Sequence, residues 1–275
     1  MSISAPRYVQ GPVARVGRTF RTLAIVQREF FRRATWGPLF AVALTWFIVI
    51  IDTVVSVDFA TVSHGSVRSA FETIYESAFW DLLLLIVTAT VGAGSLADDI
   101  GSRSITLYLS RPIRLSDYLA AKASATGSWI LIAAVGPGCV AAGIAAALGM
   151  VSASDAFAAV GGCLAVGVVV TVFFTGVALA LSSFTRRSLY AGVAIFGTVL
   201  ALSASVGVIS GITGNADLLY ADIASNVQGI AEAAFGLPSP YATDPIASVA
   251  VLLFTGLALL GLAWWRLSRI EVVGE

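Results

Sequence analysis

The sequence predicts an all-α integral membrane protein with six transmembrane helices, an N-terminal amphipathic helix at the membrane interface, and cytoplasmic N and C termini. Three observations predict it. Of 275 residues, 58% are hydrophobic and 12% charged, with a mean hydropathy of +0.91. A soluble domain carries about 25% charged residues, so this chain has too little polar surface to coat a globule. The apolar residues fall into six runs of membrane-crossing length. Threading those runs in alternation puts fifteen of the sixteen basic residues on one side.

Residues 1–36 come first. At about 100° per residue, Val16, Phe20, Leu23, Phe30, Phe31 and Ala34 gather on one half of a helical wheel. Arg15, Arg18, Arg21, Arg28, Arg32 and Arg33 occupy the other half. Such a helix is expected in the inner interface, drawn to anionic lipid, as an orientation anchor or as a surface for a partner. The first apolar run spans about a full membrane and has no small-residue cleavage pattern behind it. It is therefore expected to be retained, not removed as a signal peptide.

A crossing helix needs roughly 20 mostly apolar residues. The runs are 38–57, 79–96, 128–149, 156–184, 189–212 and 245–265. The fourth is long enough to tilt. Seven arginines precede the first run. Arg103, Arg111, Arg114 and Lys122 lie between the second and third, Arg186 and Arg187 between the fourth and fifth, and Arg266 and Arg269 after the sixth. Arg68 alone falls opposite, so the positive-inside tendency places both termini in the cytoplasm. Trp36, Trp80, Trp129, Trp264 and Trp265 sit at run ends, where the headgroup region suits an amphipathic ring; Trp46 lies deep.

Two segments face the other side. Residues 58–78 and 213–244 carry Asp58, Glu72, Glu76, Asp217, Asp222, Glu232 and Asp244, with Arg68 the one base. In the second, Leu219, Ile223, Val227, Ile230 and Ala234 recur at three- and four-residue steps, predicting a short external helix that the Gly-Leu-Pro-Ser-Pro stretch at 236–240 ends.

Much chemistry is missing. The third to sixth runs hold no ionisable group, and Asp52 and Asp81 lie near the ends of the first two. A secondary carrier usually needs a buried carboxylate or unwound midplane helices, so this counts against one. His64 is the single histidine and falls in a loop, which leaves no Ser–His pair for intramembrane proteolysis and no HExxH. Gly92-Ala-Gly94-Ser95 lacks the lysine of a phosphate loop, so ATP hydrolysis is not expected here; these glycines are expected to thin the second span for close packing. Cys139 and Cys163 with one histidine make a poor ligand set and read as buried thiols. The whole of 1–275 reads as one transmembrane domain, not an enzyme, with no cofactor or metal of its own and no nucleic-acid partner.

Small residues allow close helix approach. Gly207 and Gly211 form a GxxxG, and Gly161, Gly162 and Gly167 thin the fourth run; packing within the bundle is expected ahead of a dimer seam. Thr88, Thr90, Thr198 and Ser205, with Ser203 and Ser210, either line a substrate path or bond to their own i−4 carbonyls.

The segment 97–122 is the most informative. Pro112 cannot continue a helix and biases Arg111 towards an extended conformation, while Ser116 can cap a second helix running through Lys122. The result is helix, charged elbow, helix. This stretch resembles the signature of the type-2 ABC-transporter permeases. Asp98 and Asp99 match its acidic pair and Arg103-Ser104-Ile105 its middle step. Leu107-Tyr-Leu-Ser110-Arg111-Pro112-Ile113 matches its centre, and Asp117-Tyr118 with Lys122 its exit. Gly101 stands where a charged residue is common, and Ala121 where a glycine often precedes the lysine.

The resemblance implies a membrane-spanning permease subunit of an ATP-driven transporter, an exporter of the plasma membrane. A coupling helix in this loop would seat in a separate ATP-binding subunit that holds ATP–Mg, and a second permease chain, identical or different, would complete the path. Asp98, Asp99, Arg103, Ser110, Arg111, Pro112, Ile113, Arg114, Asp117, Tyr118 and Lys122 would form the coupling region. Arg111 and Arg114 would meet acidic residues of the ATPase. The competing readings are a secondary carrier or channel, a non-transporting membrane anchor, and arginines that only enforce topology. Neutral spans rich in Ala and Gly fit lipids, hydrophobic drugs or peptides alike.

Overall fold

The computed structural model describes residues 18–32, 36–62, 71, 74–75, 78–105, 114–236 and 243–269. Its helices are α1 (Arg18–Arg32), α2 (Trp36–Val62), α3 (Ala78–Gly92), α4 (Gly94–Gly101), α5 (Leu115–Ala147), α6 (Ala153–Ser183), α7 (Ser188–Thr213), α8 (Ile223–Phe235) and α9 (Pro245–Ser268), with a 3-10 turn over Ala216–Ala221. Six spans among the described residues are long and apolar enough to cross a membrane, α3 and α4 together forming the second as Trp80–Gly101. Near end denotes here the end of the bundle carrying α1, and far end the one carrying α8.

Boundaries differ from the apolar runs in one direction. The second span continues to Gly101, and α5 begins at Leu115 with Arg114 at its N-cap, so Ser116 lies inside the helix and does not cap it. Asp98, Asp99, Asp117 and Lys122 thereby become helical residues. Hydropathy could not extend these helices, because their near-end turns are polar while their backbone bonding continues.

The central post is α6, packed against α9 and α5 most extensively and also against α3, α4, α7 and α8. Glycine sets the closeness of these crossings. A Cβ at Gly256 would lie 2.9 Å from the Phe173 Cα, and one at Gly176 would strike the Gly256 carbonyl, so α6 and α9 meet backbone to backbone. Gly92 approaches Ala178, Gly162 approaches Phe235 and Gly167 approaches Val135, as the close-packing expectation requires, but Gly161 does not. Gly207 and Gly211 behave like Gly161. Among the described residues nothing lies within 4 Å of a Cβ at any of the three, so the GxxxG does not pack inside this bundle.

Two tryptophans also depart from expectation. Trp80 and Trp129 are buried, whereas Trp36, Trp264 and Trp265 are exposed. Trp80 packs edge-on to Tyr75, and the Trp129 indole donates to the Phe30 carbonyl at 3.2 Å.

At the far end the expected external helix is present as the 3-10 turn and α8. The Asp222 side chain caps α8 by accepting from Ser225 N at 2.9 Å, and Gly236 ends it at φ 72°. Asp244 caps α9 with Pro245 at its first position. The Asp244 amide donates to the Tyr220 hydroxyl at 2.8 Å, tying the 3-10 turn to α9. Glu232, by contrast with the other acids here, is fully buried.

Gly176→Leu is expected to destabilise the chain by about 1–3 kcal/mol or more, since the backbones cannot part without losing the crossing. Gly207→Leu should leave single-chain stability unchanged. Thermal unfolding of both variants in one detergent checks the contrast, and equal losses would refute the assigned crossing.

Candidate functional site

The near end holds an unusual cluster of buried charge. Lys122, on α5, places Nζ 2.6 Å from Asp99 Oδ2 and 2.9 Å from Glu29 Oε2, and all three side chains are at most 3% exposed. The Tyr118 hydroxyl, one turn earlier on α5, donates to Asp99 Oδ2 at 2.6 Å. On the other side of the same carboxylate, Ser104 donates to Oδ1 at 3.2 Å and Arg32 at 3.4 Å. Arg32 also reaches Glu29 at 3.4 Å and Asp98 at 3.6 Å. Burial works against the Arg32 charge, yet Glu29, Asp99 and Asp98 outweigh it and hold its pKa above the ordinary value.

Helix electrostatics do not explain these positions. Asp98 and Asp99 stand at the C-terminal end of α4, where the macrodipole disfavours anions, and Lys122 is the eighth residue of α5, beyond the first turn in which the dipole acts. Specific pairing holds them: Glu29, Asp99, Lys122 and Arg32 balance two negative charges with two positive ones, and Asp98 adds a half-exposed carboxylate at the rim.

An apolar layer lies beside this knot. Ile105, Tyr118 and Leu119 pack with Leu96, Leu179, Ala263 and Leu267, joining α4 and α5 to α6 and α9. Both flanks of the elbow therefore insert into one cluster. The chain reaches Ile105 through a tight turn in which Ser102 donates to the Asp98 carbonyl at 2.6 Å and Arg103 adopts φ 56°. A left-handed arginine costs about 1 kcal/mol, which the flanking contacts must offset. Gly101 is required by space. A Cβ there would strike the Arg186 carbonyl in the connection between α6 and α7, which accounts for glycine where a charged residue is common.

The structure thus brings together Asp98, Asp99, Tyr118 and Lys122. Arg103 and Arg114 are exposed, with Arg114 capping α5, and Asp117 lies half-buried in its first turn. Ser110, Arg111, Pro112 and Ile113 lie outside the described residues. Glu29 was not singled out from the sequence, although it is the one acid among the first 36 residues. That isolation within an arginine-rich face was the available signal. α1 keeps its amphipathic pattern, with Leu23 and Phe31 exposed on its surface, while Phe30 turns inward and stacks on Trp129 at 4.9 Å.

The hydroxyls divide. Thr88 is buried and donates to the Leu84 carbonyl at 2.8 Å, while Thr90 and Ser205 donate to the Ile86 and Ala201 carbonyls. Thr198 lines a cavity of about 380 Å³ between α6, α7 and α9. Among the described residues, no group of three or more His, Cys, Asp or Glu could hold a metal ion.

A six-span helical bundle with a charged knot clamping the ends of its second and third spans defines a multi-pass membrane protein. Residues 24–271 match the family described as ABC-2 family transporter protein, and the chain belongs to that family. It is a permease subunit of an ABC transporter, and members of this family work with an ATP-binding subunit. No curated protein matches it significantly.

Lys122→Met leaves Glu29 and Asp99 buried without their cation and is expected to cost about 3–5 kcal/mol. Asp98→Asn, at the exposed rim, should cost less than about 1 kcal/mol. Thermal unfolding ranks the two, and a Lys122→Met chain as stable as the parent would show that the knot is not a structural unit.

Proposed function

We propose that this chain forms the path of an ATP-driven exporter and receives the power stroke through the loop 97–122. The observation carrying this reading is that Ile105 and Tyr118, both within that loop, enter one apolar cluster beside the Glu29–Lys122–Asp99 knot. A push transmitted through these contacts acts on α1, α4, α5, α6 and α9 together. Arg111 and Arg114 meet acidic residues of the ATP-binding subunit, which holds ATP–Mg, and Pro112 fixes the elbow. Arg103 and Asp117 flank that contact.

The near end, with both termini, faces the cytoplasm of the plasma membrane. A second permease chain, identical or different, packs on α7, whose Gly207 and Gly211 are bare. Thr90, Thr198 and Ser205 line the path in that assembly, with Thr88 shaping α3 behind it.

A carrier reading draws on one observation, the fully buried Glu232, whose carboxylate oxygens have no hydrogen-bond partner. It requires transport that follows an ion gradient without ATP.

In mild detergent from native membranes, an ATPase is expected to co-purify with this chain. Arg111→Glu and Pro112→Ala should abolish transport while leaving membrane insertion intact; normal transport by both variants would overturn the elbow's role. Tags at either terminus should be reachable from the cytoplasm only, and external labelling of either would overturn the orientation.

A further inference from the structure

The cavity that Thr198 lines is a long, one-sided groove. Phe173, Val177 and Leu181 form its floor on α6 at four-residue steps, which places about 12 Å of apolar stripe along the helix axis. Leu202 of α7 and Leu252 of α9 stand on its two walls. Both walls rest on α6, but they scarcely touch each other, so the groove opens sideways between them. Its volume, about 380 Å³, lies within the range of small-molecule sites, roughly 300–1,000 Å³.

The far end of the groove is closed by the 3-10 turn and α8, and it is polar. Asn226, only 1% exposed, lines it there. Its Nδ2 donates to the carbonyls of Tyr220 at 2.8 Å and Asp222 at 2.6 Å, with Leu219 at 3.5 Å. Those bonds fix which way the amide points, because only nitrogen donates and the Tyr220 and Asp222 carbonyls take its two hydrogens. Among the described residues, Oδ1 is left as a buried acceptor with no partner. A buried acceptor without a donor carries a desolvation cost of about 1–3 kcal/mol, which a ligand's donor would remove.

We infer that this groove binds a membrane amphiphile, its hydrocarbon tail lying along α6 between α7 and α9 and a hydrogen-bond donor of its headgroup meeting Asn226 Oδ1. The lateral opening admits such a molecule from the bilayer without passage through water. A purely apolar occupant would leave Asn226 unsatisfied. A soluble polar ligand would leave the stripe from Phe173 to Leu181 against polar surface. The inference goes beyond the coupling reading and does not rest on it.

The test uses the full chain in phosphatidylcholine nanodiscs doped with a phosphatidylethanolamine that carries a mid-chain diazirine. After irradiation and peptide mapping, labelling is expected to concentrate on α7 around Leu202 and α9 around Leu252, well above labelling of the exposed α2 face at Phe47 and Phe59. Leu202→Trp, at an exposed position that tolerates bulk, should reduce groove labelling several-fold and leave α2 labelling unchanged. The same diazirine tail on phosphatidylcholine, whose headgroup has no donor, should label the groove about fivefold less, the worth of one hydrogen bond. Labelling spread evenly over α2, α7 and α9, or unaffected by Leu202→Trp, would overturn the site. Equal labelling by the two headgroups would overturn the role of Asn226. Neither ATP nor an ATPase enters the measurement, so its failure is distinct from failure of the coupling reading.

Discussion

The burial of Lys122 is the constraint on which the near end depends. An ammonium with 1% exposure is tolerable only beside anions with good geometry, and the two within 3 Å come from different helices, Glu29 on α1 and Asp99 on α4. Removing Lys122 leaves two buried carboxylates without their ammonium, whereas removing either acid leaves Lys122 with the other. Through this one ammonium, α1, α4 and α5 are tied together. A purely apolar contact would allow graded sliding between these helices. Charges with fixed partners do not. Tyr118 strengthens the point, because its hydroxyl serves Asp99 while its ring packs with Ile105 and Leu119 in the apolar layer.

The six spans were legible in the sequence because hydrocarbon thickness imposes a minimum apolar length, a constraint that composition alone reveals. What composition could not reveal was how far the helices run beyond the hydrocarbon. The near-end turn holding Asp98 and Asp99, and the first turns of α5 from Leu115, are helical through partners elsewhere in the chain. Half of the knot was readable, since Asp98, Asp99, Tyr118 and Lys122 fall within a recognisable motif. The other half was not, because Glu29 and Arg32 reach it from about 70 residues away, a juxtaposition that local pattern does not encode. Trp129 misled for a related reason. Its position matched an interfacial anchor, but the docked α1 gives it the Phe30 carbonyl and ring as partners.

Glycines of one residue type serve opposite ends in this fold. Gly176 and Gly256 let two backbones touch, and Gly101 makes room for a carbonyl of another connection. Gly207 and Gly211 face nothing within the chain. Sequence spacing does not separate these cases, since a GxxxG marks only the capacity for close approach. What separates them is the depth of the helix in the bundle: α6 is surrounded, whereas α7 is among the least buried spans.

The groove runs from the far-end 3-10 turn and α8 back to the level of the apolar layer beside the knot, and the same two helices serve both. On α6, Leu179 belongs to the apolar layer beside the knot, and Leu181 and Val177, two residues to either side of it, line the groove. On α9, Ala263 and Leu267 belong to that layer, and Leu259, one turn before Ala263, lines the groove. Between these levels and the far end, the Gly176–Gly256 crossing fixes the two helices against each other at their backbones. A helix is stiff along its axis and α6 and α9 cannot slide independently at a glycine crossing. The remaining wall, α7, also packs on α6 and on α3 and α4, so every wall of the groove is anchored in the bundle that carries the knot.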